Sequence, residues 1–536
     1  ARDRDRRPPA EEEAQAAPDP ACLPDAALDL AAWAGSGTPA AQIAEARAAL
    51  VGEFDRVAPE AVATLARRYL SLGFGAEAEA LIAAFDTAAR PVPEAALITD
   101  LARVLDGRVP PASGPLTAVQ NCPGAMGMWG WLARLDPLSA APPPGLAPPP
   151  AETLKSAFGA LPPRLRRLIG PRLVRSLLRS GEPAVAGDLL ALIRRAPGSY
   201  GDDYYLAQAA FLEATGDAPA AEAIWRALIA RNRPNAPEAM VALSESRLAR
   251  GLPPPDNLAG DLASAAFAQR HSEEGVRLRQ AEIEARAAEG DLPGALARIA
   301  ADLSAEPERA AALRALAARV LARSDPGRTG PARYAAAVLG HGDLLASDAS
   351  ADPARLVVAA ALIGIGLPNA ARDLLAPALA RGSDAARLTA ATAALAMDEP
   401  AAAQKLVEGL DSREAELVRA AALARGGDYH AALAALPADA PEPLRARYAF
   451  AAGEWDRAQG VADPVDRLLA AYMAGRDPAQ LAPEAAPADP ALARKGQDFL
   501  TRPETEGPVT LEAARRTAEL ARSARELLAG RIAPGG

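Results

Sequence analysis

One spacing constrains the fold of this chain more than any other feature. A glycine is followed, after four residues, by an alanine, with apolar residues about three positions further on. It occurs as Gly73 with Ala78, Gly181 with Ala186, Gly216 with Ala221, and Gly290 with Ala295. It returns as Gly366 with Ala371, Gly427 with Ala432, and Gly453 with Ala458. The apolar pairs Leu81-Ile82, Leu189-Leu190, Ile224-Trp225 and Leu374-Leu375 follow four of these. Glycine tolerates the left-handed backbone that ends a helix. A second helix can start shortly afterwards, with Pro or an acid in its first turn, as in Glu182-Pro183 and Asp217-Ala218-Pro219. The alanine then sits where the two helices cross, and its small side chain lets their backbones approach. Each match therefore predicts a helical hairpin with Gly73, Gly181, Gly216, Gly290, Gly366, Gly427 or Gly453 at its turn.

The intervals set a period. Gly181 to Gly216 is 35 residues, Gly216 to Gly251 is 35, and Gly251 to Gly290 is 39. Gly251 keeps the turn but lacks the alanine. Gly290 to Gly366 is 76 residues, room for two units, with a degenerate one expected near Gly327. Towards the C-terminus the interval shrinks to 26, between Gly427 and Gly453. A repeat of about 34–40 residues is the period of tetratricopeptide-type hairpins. Tyr204 to Ala230 and Arg277 to Leu303 match best, with Ala285, Gly290, Ala295 and Leu296 in the small-residue positions. On these residues the chain resembles tetratricopeptide-like (TPR-like) repeat proteins, although the family's early Trp-Leu-Gly-Tyr spacing and late Pro are mostly missing. The resemblance implies an all-α fold, a right-handed α-solenoid of antiparallel helix hairpins whose concave face binds peptides or protein segments.

Composition agrees with helices. Of the 536 residues, 50% are hydrophobic and only 4% aromatic, and Ala and Leu dominate the apolar set. Such residues favour close helix packing, and no run of alternating β-branched residues suggests a sheet. The net charge of −10 argues against nucleic acid as a partner, since that binding needs clustered positive charge. No stretch of about 18 apolar residues exists, so no integral membrane segment is expected.

Proline and charge divide the chain into expected sections. Residues 1–20 read as a disordered tail, charged and Pro-rich. Residues 21–139 form an N-terminal helical section. The triple prolines of 140–151 form a linker, and 152–476 the main repeat array. Residues 477–509 make an Ala/Pro-rich connector. Residues 510–530 make one amphipathic helix, capped by Thr510 and ended by Gly530.

No motif carries chemistry. His271, His341 and His430 have no second His or Cys at metal-ligand spacing, and no phosphate-binding loop or nucleophile elbow occurs. The expectation is a chain with no catalytic residue, no metal and no cofactor. Two clusters are candidates for protein binding instead. Met126, Met128, Trp129 and Trp131 are residue types found at binding hot spots, or else the core of the N-terminal section. Arg164, Arg167, Arg175 and Arg179 recur on one helical face opposite Leu165, Leu168, Ile169, Leu173 and Leu177. They form a solvated face or an acidic-partner site. Tyr204 and Tyr205 are further candidate contacts.

Cys22 and Cys122 are either two free thiols or one disulfide. The start at Ala1 and the character of the first twenty residues lean towards export, and under export the pair is expected to be bonded. The leading expectation is a non-enzymatic scaffold or adaptor that binds other proteins. The alternative is an exported periplasmic assembly chaperone, or an accessory factor of a bacterial cell-envelope or motility machine. A periplasmic location goes with the second reading and a cytoplasmic one remains open to the first.

Overall fold

The structure is a computed structural model. It describes residues 22–50, 57–118, 122–136, 139–195 and 197–475, together with Leu511, Arg515 and Arg522. The expected tail at 1–20 and connector at 477–509 lie outside the described residues. So does the helix at 510–530, apart from those three residues, which are helical.

The named elements of the described residues are all helices, with an isolated bridge between Thr87 and Arg90 and no named strand. The chain forms two compact units, 1–285 and 286–536. The first holds α1 (Pro39–Ala48), α2 (Pro59–Ser71), α3 (Gly75–Phe85), α4 (Ala95–Leu105), α5 (Gly124–Arg134), α6 (Ala151–Ala160) and α7 (Pro163–Arg179). It continues with α8 (Pro183–Arg195), α9 (Asp202–Ala214), α10 (Ala218–Ala230), α11 (Ala236–Ala249), α12 (Leu258–Ala268) and most of α13 (Glu273–Ala288). The second unit holds α14 (Leu292–Ala305), α15 (Ala310–Ala322), α16 (Pro326–Thr329), α17 (Pro331–Gly340), α18 (Asp352–Gly364) and α19 (Pro368–Ala380). It continues with α20 (Asp384–Ala396), α21 (Pro400–Leu406), α22 (Arg413–Arg425), α23 (Tyr429–Ala434), α24 (Glu442–Ala452) and α25 (Pro464–Met473).

Contacts run between near neighbours in the chain. In the first unit α7 packs on α8 and α9, and α10 on α9 and α11. In the second, α18 packs on α19 and α20, and α20 on α21 and α22. Many helices thus meet their successor or the helix after that, while around the four-residue α16 the contacts reach further, from α14 to α17 and from α15 to α18.

The turn glycines explain this order. Gly73, Gly181, Gly216, Gly290, Gly366, Gly427 and Gly453 all have positive φ, between 77° and 98°. The alanines five residues on (Ala78, Ala186, Ala221, Ala295, Ala371, Ala432 and Ala458) are all 0% exposed. At Gly216 an added Cβ would meet nothing within 4 Å, so the demand there is purely conformational. At Gly290 a Cβ would also lie 2.9 Å from the Arg328 carbonyl oxygen. Asp217 and Asp291 then cap the next helix, accepting from the Ala220 and Gly294 N–H groups.

Three expectations are corrected. The turn expected near Gly327 is not built on that residue. Gly327 lies inside α16, and the positive φ falls on Gly330. The stretch at 140–151 is not a linker between two sections. Ala140 is fully buried in a turn, Leu146 and Ala151 pack on the core, and one buried cluster includes both Trp129 before it and Phe158 after it. Prolines stop a helix without opening a domain boundary, and the division in the chain falls between Ala285 and Arg286. Leu168 does not join the apolar line of its helix, being 42% exposed.

Arginine has a second structural use. The chain holds 58 Lys and Arg residues, and arginines donate repeatedly to loop carbonyls. Arg68 donates to Trp33 O at 2.6 Å and Arg134 to Thr117 O at 2.8 Å. Arg387 donates through Nε to Leu406 O at 3.1 Å and through Nη2 to Glu408 O at 2.5 Å. Arg419 reaches Val407 O and Leu410 O of the same loop, at 3.2 and 3.1 Å. A forked guanidinium spans two carbonyls that the end of a helix leaves without partners, whereas an ammonium cannot match that geometry.

Two predictions follow from these devices. Gly216→Val should strain the turn and Ala221→Leu should overpack the crossing by about 1–3 kcal/mol. Hydrogen exchange should then show lost protection in α9 and α10 and none in the second unit. Equal loss in both units would contradict this account of the turn. Arg387→Lys should lower stability by about 1–2 kcal/mol in urea denaturation. A change within about 0.3 kcal/mol would mean that the carbonyl bonds contribute nothing.

Candidate functional site

The clusters singled out by residue type divide sharply once folded. Met126, Met128, Trp129 and Trp131 are 0–2% exposed. The glycine-rich helix α5 carries them into the core of the first unit, where Leu132 and Leu135 join them. They are core residues, and the protein-binding reading of them is withdrawn. Tyr204 is likewise buried, stacked on Tyr200 at 4.5 Å and edge-on to Tyr205 at 5.5 Å. Only Tyr205 of the pair keeps partial exposure, and Arg231 lies over its ring at 5.8 Å.

The arginines of α7 separate too. Arg164 stacks over the Phe74 ring at 4.8 Å, and Arg167 donates to the Pro197 carbonyl. Both are engaged within the fold. Arg175 and Arg179 lie further along the helix. Arg175 and its neighbour Arg172 line a cavity of about 350 Å³ whose walls come from α7, α11 and α13. Arg277 of α13 joins them there, half-buried.

The charges in this groove are unevenly compensated. Arg175 pairs with Glu238. Arg172 donates only to Val104 O, at 3.0 Å, and its Nε is buried without a partner. Burial and then the charge of Arg175 push the Arg172 guanidinium below its usual range. Arg179 keeps an exposed surface, yet desolvation and then Arg175 and Arg277 push it down, with Glu245 and Glu238 opposing. Among the described residues the Arg277 side chain makes no hydrogen bond or ion pair.

The acids around the groove are already answered. Asp203, Glu238 and Glu274 sit in the first turns of α9, α11 and α13, where the positive end of each helix balances a carboxylate. Asn235 donates to Asp203 at 2.5 Å, and Asp106 accepts from Arg108 at 3.2 Å. Arg172 and Arg175 lie at mid-helix in α7, whereas Arg277 lies near the start of α13. The rest of the wall is apolar and stiff, with Leu168, Pro171, Pro234 and Pro237.

A second cavity of about 500 Å³ lies beside Trp129 in the same unit, with Asp25, Asp29 and Glu152 at its edge. Its acids are spoken for. Asp25 accepts from Ala125 N at 2.7 Å, Asp29 from Ala31 N and Ala32 N, and Glu152 pairs with Lys155 at 2.6 Å.

Of the arginines that line the cavity, the sequence pointed to Arg175 and not to Arg172 or Arg277, and Arg179 is not among the lining residues. The signal for Arg172 was present, since it lies three residues before Arg175 and so shares its face. Arg277 had none, because it comes from another helix. Among the described residues no group of three or more His, Cys, Asp and Glu is placed to hold a metal ion. Ser246, next to Glu245, donates its hydroxyl to Glu213 at 2.8 Å. Cys22 and Cys122 are joined in a disulfide. Protein-family models, curated proteins and solved structures offer no match to this chain.

Proposed function

We propose that this chain is a non-enzymatic scaffold or adaptor, a TPR-like right-handed α-solenoid of antiparallel hairpins whose surface binds other proteins. The observation that carries the reading is the repeated corner. A positive-φ glycine and a fully buried alanine five residues on recur seven times, and helix contacts fall between near neighbours in the chain. Units built this way bury their cores only against neighbours, and they leave a long continuous surface for recognition. The groove lined by Arg172, Arg175 and Arg277 holds two buried guanidinium nitrogens without a hydrogen-bond partner, Arg172 Nε and Arg175 Nε.

In-cell cross-linking in the native organism, followed by mass spectrometry of the tagged chain, tests this. The expected result is one or a few proteins recovered in fixed ratio with the chain. Recovery of the chain alone, together with turnover of a substrate by the purified protein, would contradict a scaffold.

The Cys22–Cys122 bond favours a second reading. A disulfide closing a loop of 100 residues persists in oxidising compartments, and it supports an exported, periplasmic chaperone or accessory factor of a cell-envelope or motility machine. It should contribute about 2–4 kcal/mol to stability. Free-thiol titration of the unfolded, unreduced protein from its native cells should find no reactive thiol. Two thiols per chain would remove the support for export.

A further inference from the structure

We propose that residues 22–30 form a redox-released strap, held closed over the cavity beside Trp129 by the Cys22–Cys122 disulfide. The proposal goes beyond the scaffold reading and does not depend on it. The segment carries no α-helix; its regular structure is a 3-10 turn, Asp25–Leu28, packed on α5. Its Asp25, Ala26, Leu28 and Leu30 line one side of the cavity of about 500 Å³, and Trp129 and Leu161 line another. The near end is fixed at two points. Cys22 is bonded to Cys122, two residues before α5 begins. Asp25 Oδ1 accepts at 2.7 Å from Ala125 N–H, a first-turn amide that α5 cannot pair within itself. Gly124 makes that approach possible, since a Cβ there would collide with the Asp25 carboxylate.

The far end is fixed independently. Trp33 O accepts from Arg68 at 2.6 Å, and Gln42 spans Gly35 N–H and Gly37 O, at 3.1 Å each. Between the two ends only Leu28 and Leu30 are buried, at 3% and 1% exposure. A segment tethered at both ends keeps its leucines near their sites at little entropic cost. With one end free, that ordering recurs at each closure. Cys22 is half-buried and Cys122 buried, so the Cys22 side of the bond is the more reachable. A dithiol supplies the two electrons. Its thiolate attacks Cys22 Sγ, and Cys122 leaves as a thiolate. The second thiol of the reductant then displaces Cys22 and closes the reductant's own disulfide, and the two protons of the dithiol pass through water to the two cysteines. The strap then opens about Trp33 and uncovers Trp129 and Leu161.

Hydrogen exchange of the full chain, oxidised and after dithiothreitol without denaturant, tests this. On reduction the Leu30 and Ala125 amides, whose acceptors lie in the strap, should exchange on the order of tenfold faster. Amides of α8–α11 should not change, and helix content by circular dichroism should hold. The apolar dye anilinonaphthalene sulfonate should bind the reduced chain more strongly, and oxidised glutathione should reverse this. Cys22→Ser should behave as the reduced chain with or without the dithiol. Three results would overturn the proposal. A bond that resists dithiothreitol in the folded chain would show that neither sulfur is reachable. Unchanged exchange at Leu30 and Ala125 after reduction would show a segment that stays closed without its bond. Lost protection across α8–α11, or a Cys22→Ser chain that does not fold, would make the bond a staple of the whole unit.

Discussion

The close crossing of two helices over an alanine is the constraint on which the structure depends. Five such alanines, Ala78, Ala186, Ala221, Ala371 and Ala432, are fully inaccessible to solvent and lie in helices that pack on the helix before them. No larger side chain could occupy these positions without pushing the helices apart, because interiors packed at crystal-like density have no spare volume. The crossing in turn requires the chain to reverse abruptly, and the left-handed residue five positions earlier supplies that reversal. Turn and crossing are therefore one device. With only 4% aromatic residues, the chain gains burial from many small contacts and few large ones. The exception is the first unit, where Met126, Met128, Trp129, Trp131 and Phe158 concentrate large side chains in one core.

Arginine supports the same architecture from outside. A fold of many short helices has many helix ends, and each end leaves carbonyls without intrahelical partners. Arg387 and Arg419 answer carbonyls at and just after the end of α21, and Arg68 and Arg134 answer carbonyls in longer loops. This use gives these arginines a structural role without invoking a binding face. It also sharpens the groove of the first unit, where Arg277 has no such employment.

Much of this was legible in the sequence, and the reasons for the rest are specific. The glycine turns could be read because glycine is the residue that enters left-handed backbone freely. One turn was missed for the same reason. Asp398 has φ of 60° and is followed five residues later by the fully buried Ala403. Aspartate also tolerates that conformation, so glycine spacing alone does not mark the turn between Gly366 and Gly427. The prolines of 140–151 were misread because they report where helices stop, and say nothing of whether the loop between them is buried. Tyr204 was misplaced because a tyrosine on a short helix gives no local sign of which side faces the core. The groove was half visible. Spacing within α7 put arginines on one face, while the contribution of α13 depends on packing that local sequence does not encode.

Native-state hydrogen exchange of the unmodified protein at rising urea concentration tests the central claim most directly. A chain stabilised by contacts between near-neighbour helices should open in blocks. Within each unit, amides of adjacent helix pairs should lose protection together, and different pairs at different urea concentrations. A single isotherm shared by all protected amides of a unit would show one undivided cooperative core there, and would contradict an architecture of stacked hairpins.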